Sequence, residues 1–394
     1  MLDDDFNKLS NPSYDLEADK STFNTALHDC YITITEILSK YCDLEERYYP
    51  VISLWIIGSY AHDSFETYPY IFLNASKGSG KSRLLRLISI LSRNGKLLGS
   101  ITESALFRGA KGNTLCIDEL EQINSDEKGA LRELLNSAYK RGMTIERYRK
   151  KKIKEEENYV VEVFDVYTSL AMANISGMEK VLADRCITLL LEKSENKKIT
   201  RLIEDFGNDI GILQIKAVLD KMKEQLGTII KNSNISKDWN DHVLGTFREH
   251  KLNDELTSLF QSIDETEIEG RNLELLLPLY FIAYLIDDKK EALNTILKIS
   301  KELIMEKEAE ENIENSDKIL RKFLVEKIKS GSIEYLDYIS TAKISNQFKE
   351  YLGDGNDWVN PRWLGVSLKR MKIIKSKKRE SNGIKVLFDL EKLK

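Results

Sequence analysis

The segment from Tyr70 to Ile90 constrains the fold more than any other part of the sequence. Four residues rich in β-formers, Tyr70-Ile-Phe-Leu73, precede the glycine-containing stretch Asn74-Ala-Ser-Lys-Gly-Ser-Gly-Lys-Ser82, and a helical pattern follows from Arg83 to Ile90. A strand, a glycine-rich loop and a helix in this order let backbone N–H groups and a helix N-terminus surround a phosphate group. The sequence therefore predicts an α/β fold built around a phosphate-binding loop.

The loop departs at one position from the usual pattern, which starts with glycine and ends with Gly-Lys-Ser or Gly-Lys-Thr. Ala75 occupies the first position, where a small residue is expected to be tolerated. Lys81 is expected to reach the β- and γ-phosphates of ATP, and the Ser82 hydroxyl to ligate Mg²⁺. The alternative is a glycine-rich turn with an incidental lysine. The predicted nucleotide contacts are Ala75, Gly78, Ser79, Gly80, Lys81, Ser82 and Asp118, with Ser82 and Asp118 as metal ligands.

A second motif, Leu115-Cys-Ile-Asp-Glu119, ends an apolar strand with two acidic side chains. Asp118 is expected to hold Mg²⁺ and its waters, and Glu119 to polarise the attacking water. An acidic helix cap after a strand is the other interpretation. Asn174 ends the next apolar strand and is predicted to help place the attacking water, although a lone asparagine there is also typical of a turn.

Arg185 comes directly before another apolar strand, in Leu182-Ala-Asp-Arg-Cys-Ile187. One interpretation is a surface salt bridge with Asp184. The other is an arginine finger, which completes the ATP site of a neighbouring subunit and stabilises charge on the transferring phosphoryl group.

Strands alternate with helices between residues 21 and 192, which predicts a parallel sheet with helices on both faces. The polar segment 1–20 is expected to be loose. Residues 193–330 are charged and helical in pattern, so an all-helical lid or linker is expected there. Residues 331–394 form a separate predicted domain.

An inserted β-hairpin is predicted at about 143–167, because Met143–Arg149 and Tyr159–Tyr167 both alternate like strands. The basic residues between these strands are expected to pair with DNA phosphates. A solvated charged tip is the alternative, and three glutamates at 155–157 favour it. The predicted DNA contacts of the hairpin are Arg149, Lys150, Lys151, Lys152 and Lys154.

The tail combines short helices with a basic β-turn-β pattern. Ile344–Phe348 and Asn360–Met371 are predicted helices, the second with proline at its start. Asn382-Gly383 is a tight-turn signal before the predicted strand Ile384–Phe388. This order predicts a winged helix, which serves either DNA or protein contacts. The predicted DNA contacts here are Lys375, Lys377, Lys378 and Arg379.

The order of these motifs resembles that of AAA+ ATPases. More closely, from about residue 22 to the C-terminus and except near 195–260, the chain resembles the MCM-like replicative helicases of plasmids, phages and other mobile elements. The matching pieces are Leu54-Trp55 with His62, Gly80–Leu85, Ala105–Arg108, Leu131–Gly142, Ala183–Ile187 and Arg271–Ile282.

The resemblance implies roles for individual residues. Asn174 matches the sensor-1 position, Arg185 the arginine finger and Arg271 the sensor-2 arginine, which in MCM-type rings also reaches a neighbour's ATP. It implies an AAA+ core with an all-helical lid and a C-terminal winged helix. It also implies that the protein is an ATP-driven DNA helicase. This helicase would form a hexameric ring around single-stranded DNA and could contact duplex DNA at the winged helix.

Two other functions remain open at this point. One is an AAA+ replication initiator or helicase loader that binds DNA without unwinding it. The other is a DNA-binding module with a vestigial ATP site, which the presence of Lys81, Asp118 and Glu119 disfavours.

Composition narrows the remaining possibilities. The net charge of −5 disfavours a uniformly basic coat, so any DNA contact must be local. Cysteines at 30, 42, 116 and 186 form no metal-binding spacing and suit a reducing cytoplasm. The longest apolar run, Leu273–Ile286, is too short to span a bilayer, so no membrane partner is expected.

Overall fold

The computed structural model describes residues 20–118, 120, 129–153, 156–174, 178–245, 253–286, 290–330, 337–353, 358–380, 383–389 and 392. The expectation of a loose segment at 1–20 thus lies outside the described residues, apart from Lys20. The chain divides into two compact units, Met1–Leu303 and Ile304–Lys394.

A parallel sheet forms the centre of the first unit, as the alternation of strands and helices predicts. Its strands are β1 (Tyr70–Ala75), β2 (Gly95–Leu98), β3 (Thr114–Ile117), β6 (Ser169–Asn174) and β7 (Cys186–Leu191). Within the described residues their order is β2-β3-β6-β1-β7, and every neighbouring pair is parallel. Strands β3 and β6 are buried throughout, which explains their continuous apolar sequences.

Strand β2 is absent from the sequence-based prediction. It lies at the edge of the sheet and is partly exposed, so Gly95-Lys-Leu-Leu98 lacks the run of buried apolar residues that marks the other strands. Gly95 is required by close packing, since a Cβ atom there would lie 1.8 Å from the carbonyl oxygen of Ser89.

Helices of the first unit flank the sheet. They are α1 (Lys20–Tyr41), α2 (Tyr48–Ser59), α3 (Lys81–Leu91), α4 (Glu103–Gly109), α5 (Gly129–Ser137), α6 (Lys180–Ala183), α7 (Lys197–Thr200), α8 (Ile210–Ser233), α9 (Ile235–Val243), α10 (Asn253–Asp264) and α11 (Gly270–Ile286). The sequence pattern from Lys128 to Lys140 is typical of a helix, but α5 ends at Ser137, where the chain turns. Helix α12 (Glu291–Lys329) begins in the first unit and ends in the second.

Helices α2 and α11 have the most apolar sequences because they are largely buried. Helix α2 is buried at every residue except Pro50, and α11 is buried from Leu275 to Ile286 apart from Tyr284. Among the described helices, none has the length and apolar character needed to cross a membrane. All four cysteines are buried, and none forms a disulfide.

The predicted insertion is a two-stranded antiparallel ribbon of β4 (Thr144–Ile153) and β5 (Glu156–Asp165). The strands are longer than the sequence pattern suggests. Lys150, Lys151 and Lys152 belong to β4 and not to a tip between strands, as the prediction had placed them. Register explains the difference, because pairing continues outward as far as Ile153 opposite Glu156 and places Lys152 opposite Glu157.

The second unit has its own core. It contains β8 (Ile339–Ser340), α13 (Thr341–Leu352), α14 (Pro361–Arg370), β9 (Ile374–Glu380) and β10 (Gly383–Phe388). The described strands form an antiparallel sheet in the order β8-β10-β9. Asn360 caps α14 by accepting hydrogen bonds from the backbone N–H groups of Arg362 and Trp363, at 3.0 and 2.9 Å.

Candidate functional site

The predicted nucleotide-binding residues meet at the carboxyl edge of the central sheet. Strand β6 lies between β1 and β3, and Asn74 of β1 is in register with Asn174 of β6. Asp118 directly follows β3. Because parallel strands end at the same edge, the loop after β1, Asn174 and Asp118 lie side by side. The loop strand and the Asp118 strand are therefore not neighbours, and Asn174 is positioned between them.

The glycines of the loop are required by conformation. Gly78 and Gly80 have φ angles of 83° and 87°, and no atom lies within 4 Å of a Cβ built at either position. Gly80 precedes α3, whose first turn contains no acidic residue. The N-terminus of α3 thus presents backbone N–H groups and a partial positive charge to the loop.

Ala75 fits the loop without strain. It is the last residue of β1, is buried, and pairs with Leu191 of β7. An extended residue of a strand does not need a positive φ angle, so alanine can replace the glycine usual at this position.

Lys81 and Asp118 face each other across the loop. The Lys81 Nζ atom is 3.7 Å from Asp118 Oδ1, which is too long for a hydrogen bond. Asp118 Oδ1 and Ser79 Oγ are both buried. Neither atom has a hydrogen-bond partner within the described part of the chain. Leaving such a group without a hydrogen bond costs about 1–3 kcal/mol, so a polar ligand at this point would be stabilised.

The donor set suits a magnesium ion that is shared with phosphate. Ser82 supplies a hydroxyl beside Lys81, and Asp118 supplies a carboxylate. The described residues contain no group of three His, Cys, Asp or Glu side chains that could hold a metal on their own. Mg²⁺ commonly binds through one or two protein oxygens and completes its shell with water and phosphate oxygens.

Asn174 is fully buried, and its Nδ2 atom donates a hydrogen bond of 3.2 Å to the carbonyl oxygen of Leu120. This bond connects the end of β6 to the segment that follows Asp118. Glu119, the predicted water-polarising residue, lies outside the described residues.

A cavity of about 280 Å³ adjoins the loop. Its walls are the end of α1 with residues 42–44, the loop with the first turn of α3, and the end of β7 with the segment that follows it. Leu44, Leu191 and Ile199 give it an apolar lining beside polar groups such as Asp43 and Ser194. The sequence analysis missed this cavity, because its walls come from three segments with no shared motif.

Arg83 joins the walls of the cavity. Its guanidinium donates hydrogen bonds of 2.9 Å to the Ile199 carbonyl and 2.8 Å to the Leu202 carbonyl, and a longer one of 3.4 Å to Tyr41. Glu204 lies 3.5 Å from Arg83 and 3.1 Å from Arg86. We call residues 192–209 the strap. Arg83 thus fixes the strap to the helix that begins at Lys81.

The strap is also fixed at its far end. Asp209 accepts hydrogen bonds of 2.6 Å from both Lys40 and Tyr41, and it caps α8 by accepting from the Ile212 N–H. Burial alone would raise the pKa of Asp209, but these hydrogen bonds outweigh it and lower the pKa below its ordinary value.

Arg185 is at the opposite edge of the sheet. It precedes Cys186, which pairs with Tyr70 at the start of β1. Its guanidinium donates to the carbonyl oxygens of Asn136, at 2.8 Å, and Val181. The structure therefore does not bring Arg185 to the loop of its own chain.

Arg271 lies at the same edge as Arg185. It is in the first turn of α11, and its Nη1 atom is 3.5 Å from Asp184 Oδ2. Asp184, the alternative partner considered for Arg185, thus contacts Arg271. The predicted site is divided between two edges, with both arginines at the amino edge.

The predicted DNA contacts occupy two elements. Lys375, Lys377, Lys378 and Arg379 are exposed on β9, and Lys378 Nζ lies 4.2 Å from the centre of the Tyr338 ring. In the ribbon, Lys154 and the side chains of Arg149, Lys150, Lys151 and Lys152 lie outside the description. The ribbon also exposes apolar side chains that the sequence analysis did not single out, namely Tyr148, Tyr159, Val161 and Val163.

No family model matches this sequence, and no curated protein is significantly similar to it. Functional assignment therefore depends on the geometry of the two edges.

Proposed function

We propose that this protein is an ATPase that binds ATP with Mg²⁺ at the carboxyl edge of its central sheet. The observation that carries the proposal is the buried Asp118 oxygen, which makes no hydrogen bond among the described residues and lies 3.7 Å from Lys81 at the start of a helix preceded by two left-handed glycines. This arrangement suits a phosphate group and a divalent cation. The cavity whose walls Arg83 joins is the proposed site of the adenine ring of ATP.

Each residue has a separate task in hydrolysis. Lys81 and the N–H groups of the loop bind the β- and γ-phosphates, and Ser82 with Asp118 holds the cation. Bound Mg²⁺ would neutralise charge that develops on the phosphate oxygens. Glu119 polarises the attacking water, and Asn174 orients it from its position between β1 and β3.

We infer further that the active form is a ring, in agreement with the resemblance to MCM-like AAA+ ATPases. Arg185 and Arg271 lie at the edge opposite their own loop, so each would complete the site of a neighbouring copy. Within this proposal residues 193–330 act as the helical lid and residues 331–394 as a winged helix.

The proposed activity is ATP-driven unwinding of DNA by a hexamer, in replication of a mobile element. The ribbon would contact single-stranded DNA in the channel through Arg149 and the lysines beside it, and β9 would contact duplex DNA. A replication initiator or loader is the second candidate. It is favoured by the four acidic residues of β5, which place negative charge beside the basic strand.

Unwinding of a forked DNA duplex tests the first candidate, with Glu119→Gln as the control. ATP-dependent strand separation by the wild-type protein alone supports a helicase. DNA-stimulated ATP turnover without strand separation supports the initiator or loader. If Lys81→Ala retains wild-type turnover, the ATP site itself is wrongly assigned.

A further inference from the structure

The two strands of the ribbon carry opposite charge. Strand β4 contains five basic residues and one acidic residue, a formal charge of +4. Strand β5 contains four acidic residues and no basic one, a formal charge of −4. The ribbon as a whole is neutral, but one strand is basic and the other acidic.

Only some of the charged residues lie directly opposite a residue of unlike charge within the ribbon. Directly opposite residues of unlike charge occur at Arg147 with Glu162 and at Lys152 with Glu157. Arg149, Lys150 and Lys151 are instead opposite Val160, Tyr159 and Asn158. The register therefore leaves basic residues of β4 without an acidic residue directly across the ribbon.

The base of the ribbon is fixed to the first unit. Phe164 packs against Phe107 of α4, with ring centres 4.7 Å apart, and Ile145 joins the same core. Arg147 lies 5.2 Å from the centre of the Phe107 ring and pairs with Glu103. These contacts hold the ribbon in a defined direction.

Beyond this base the ribbon exposes apolar side chains. Tyr148 is 72% exposed and Tyr159 is 64% exposed, and Val161, directly opposite Tyr148, is also exposed. In the described part of the chain the ribbon has two strands, so each of them has an outer edge with backbone groups that can pair.

We propose that neighbouring copies of this chain associate through their ribbons, with the basic β4 edge of one copy beside the acidic β5 edge of the next. The contact is head to tail, because each ribbon offers a basic edge to one neighbour and an acidic edge to the other. Head-to-tail contacts close into rings when the rotation between neighbouring copies closes, as the proposed ring requires, and otherwise form open filaments. The inference rests on the proposed ring. A second copy fits better than DNA alone, since the acidic strand repels phosphate.

The experiment reverses the charge of one strand at a time. Variant A carries Lys150→Glu, Lys151→Glu and Lys152→Glu, which changes β4 from +4 to −2. Variant B carries Glu156→Lys, Glu157→Lys and Glu162→Lys, which changes β5 from −4 to +2. Variant C combines all six changes. The control reverses Lys375, Lys377 and Lys378 of β9, the same change of charge in the second unit.

Assembly is measured by mass photometry and sedimentation with ATP and Mg²⁺ and without DNA. We expect A and B each to need at least about tenfold more protein than the wild type to assemble, because like charges now meet at the contact. Variant C, with complementary edges again, recovers assembly. A mixture of A and B also assembles, as alternating copies, and the β9 control behaves like the wild type.

Three outcomes would overturn the inference. If A and B assemble at wild-type concentrations, the proposed ribbon contact is excluded but the proposed ring is not. Failure of both C and the mixture to recover shows that the substituted residues affect assembly by some means other than charge pairing between ribbons. If the wild-type protein stays monomeric with ATP, both the proposed ribbon contact and the proposed ring are excluded. Circular dichroism and ATP binding by each variant verify that the first unit is folded.

Discussion

Single residues at the carboxyl edge determine how the proposed nucleotide is held. Asp118→Asn preserves the size of the side chain but removes the charge that would hold a cation opposite Lys81. We expect magnesium-dependent ATP affinity to fall by about 10- to 100-fold. ATP affinity measured in EDTA should not fall. Titration calorimetry in the two buffers checks this, and an equal loss in both would contradict the metal role.

Arg83 is predicted to position the adenine ring of ATP and not its phosphates. Arg83→Gln loses the bonds to the carbonyls of Ile199 and Leu202, so the cavity wall is released. ATP affinity should fall by about tenfold, the loss expected for hydrogen bonds from a charged group. Competition by inorganic tripolyphosphate, which has no base, should be unchanged.

Arg86→Gln is the matched control for that prediction. It removes the same charge from the same helix and the same ion pair partner, Glu204, while the carbonyl contacts of Arg83 remain. Equal loss of ATP and tripolyphosphate binding in Arg83→Gln would show that Arg83 acts on the phosphates through its charge.

Residues at this scale were predictable only where they belong to a local motif. Gly80, Lys81 and Asp118 were found from the loop pattern and from an acidic residue at a strand end. Arg83 was part of a motif, but its partner Ile199 is 116 residues away. Such pairs are created by tertiary packing, which a single sequence does not record.

At the scale of elements, Asp209 links the strap, α1 and the start of α8. Asp209→Asn can still cap α8, but it loses the charged contact with Lys40. We expect a loss of about 1–2 kcal/mol in the free energy of unfolding at pH 7.

The pH dependence of that loss has a definite sign. The folded-state pKa of Asp209 is below its ordinary value of 3.8, so the carboxylate stabilises the fold above that value. The difference between wild type and Asp209→Asn should disappear as pH falls through the lowered pKa. Denaturant titrations at pH 7 and pH 3 measure it, and a difference that is the same at both values would exclude this cause.

Element prediction succeeded where burial imposes a pattern. The strands β6 and β7 and the helix α14, with its Asn-Pro start, lie where the sequence places them. Strand β2 was missed because an exposed edge strand has no apolar run, and the extent of β4 was underestimated because its outer half is formed by lysines. Cross-strand register extends a strand in ways that residue preferences do not indicate.

On the scale of the whole molecule, the central sheet separates the two halves of the proposed ATP site. Lys81 and Asp118 are at one edge, and Arg185 is at the other. We expect Arg185→Ala to bind ATP normally and to lose hydrolysis by about 10³-fold or more, as for an arginine finger.

Mixing is the decisive measurement for that arginine. Arg185→Ala chains retain an intact carboxyl edge, and Glu119→Gln chains retain Arg185, so mixed rings contain some complete sites. ATPase activity should reappear in the mixture although each protein alone is inactive. Absence of activity at every ratio would mean that Arg185 serves its own chain, where it already binds the carbonyl oxygens of Asn136 and Val181.

The buried cysteines have a practical consequence for observing such rings. Burial raises the pKa of the Cys30 and Cys42 thiols to about 12 and raises that of Cys116 as well, so thiolate, the form that reacts with maleimides, is scarce. A cysteine introduced at an exposed ribbon position such as Tyr148 would then take a fluorescent dye selectively. Energy transfer between labelled copies could be followed in real time without first removing Cys30, Cys42 and Cys116.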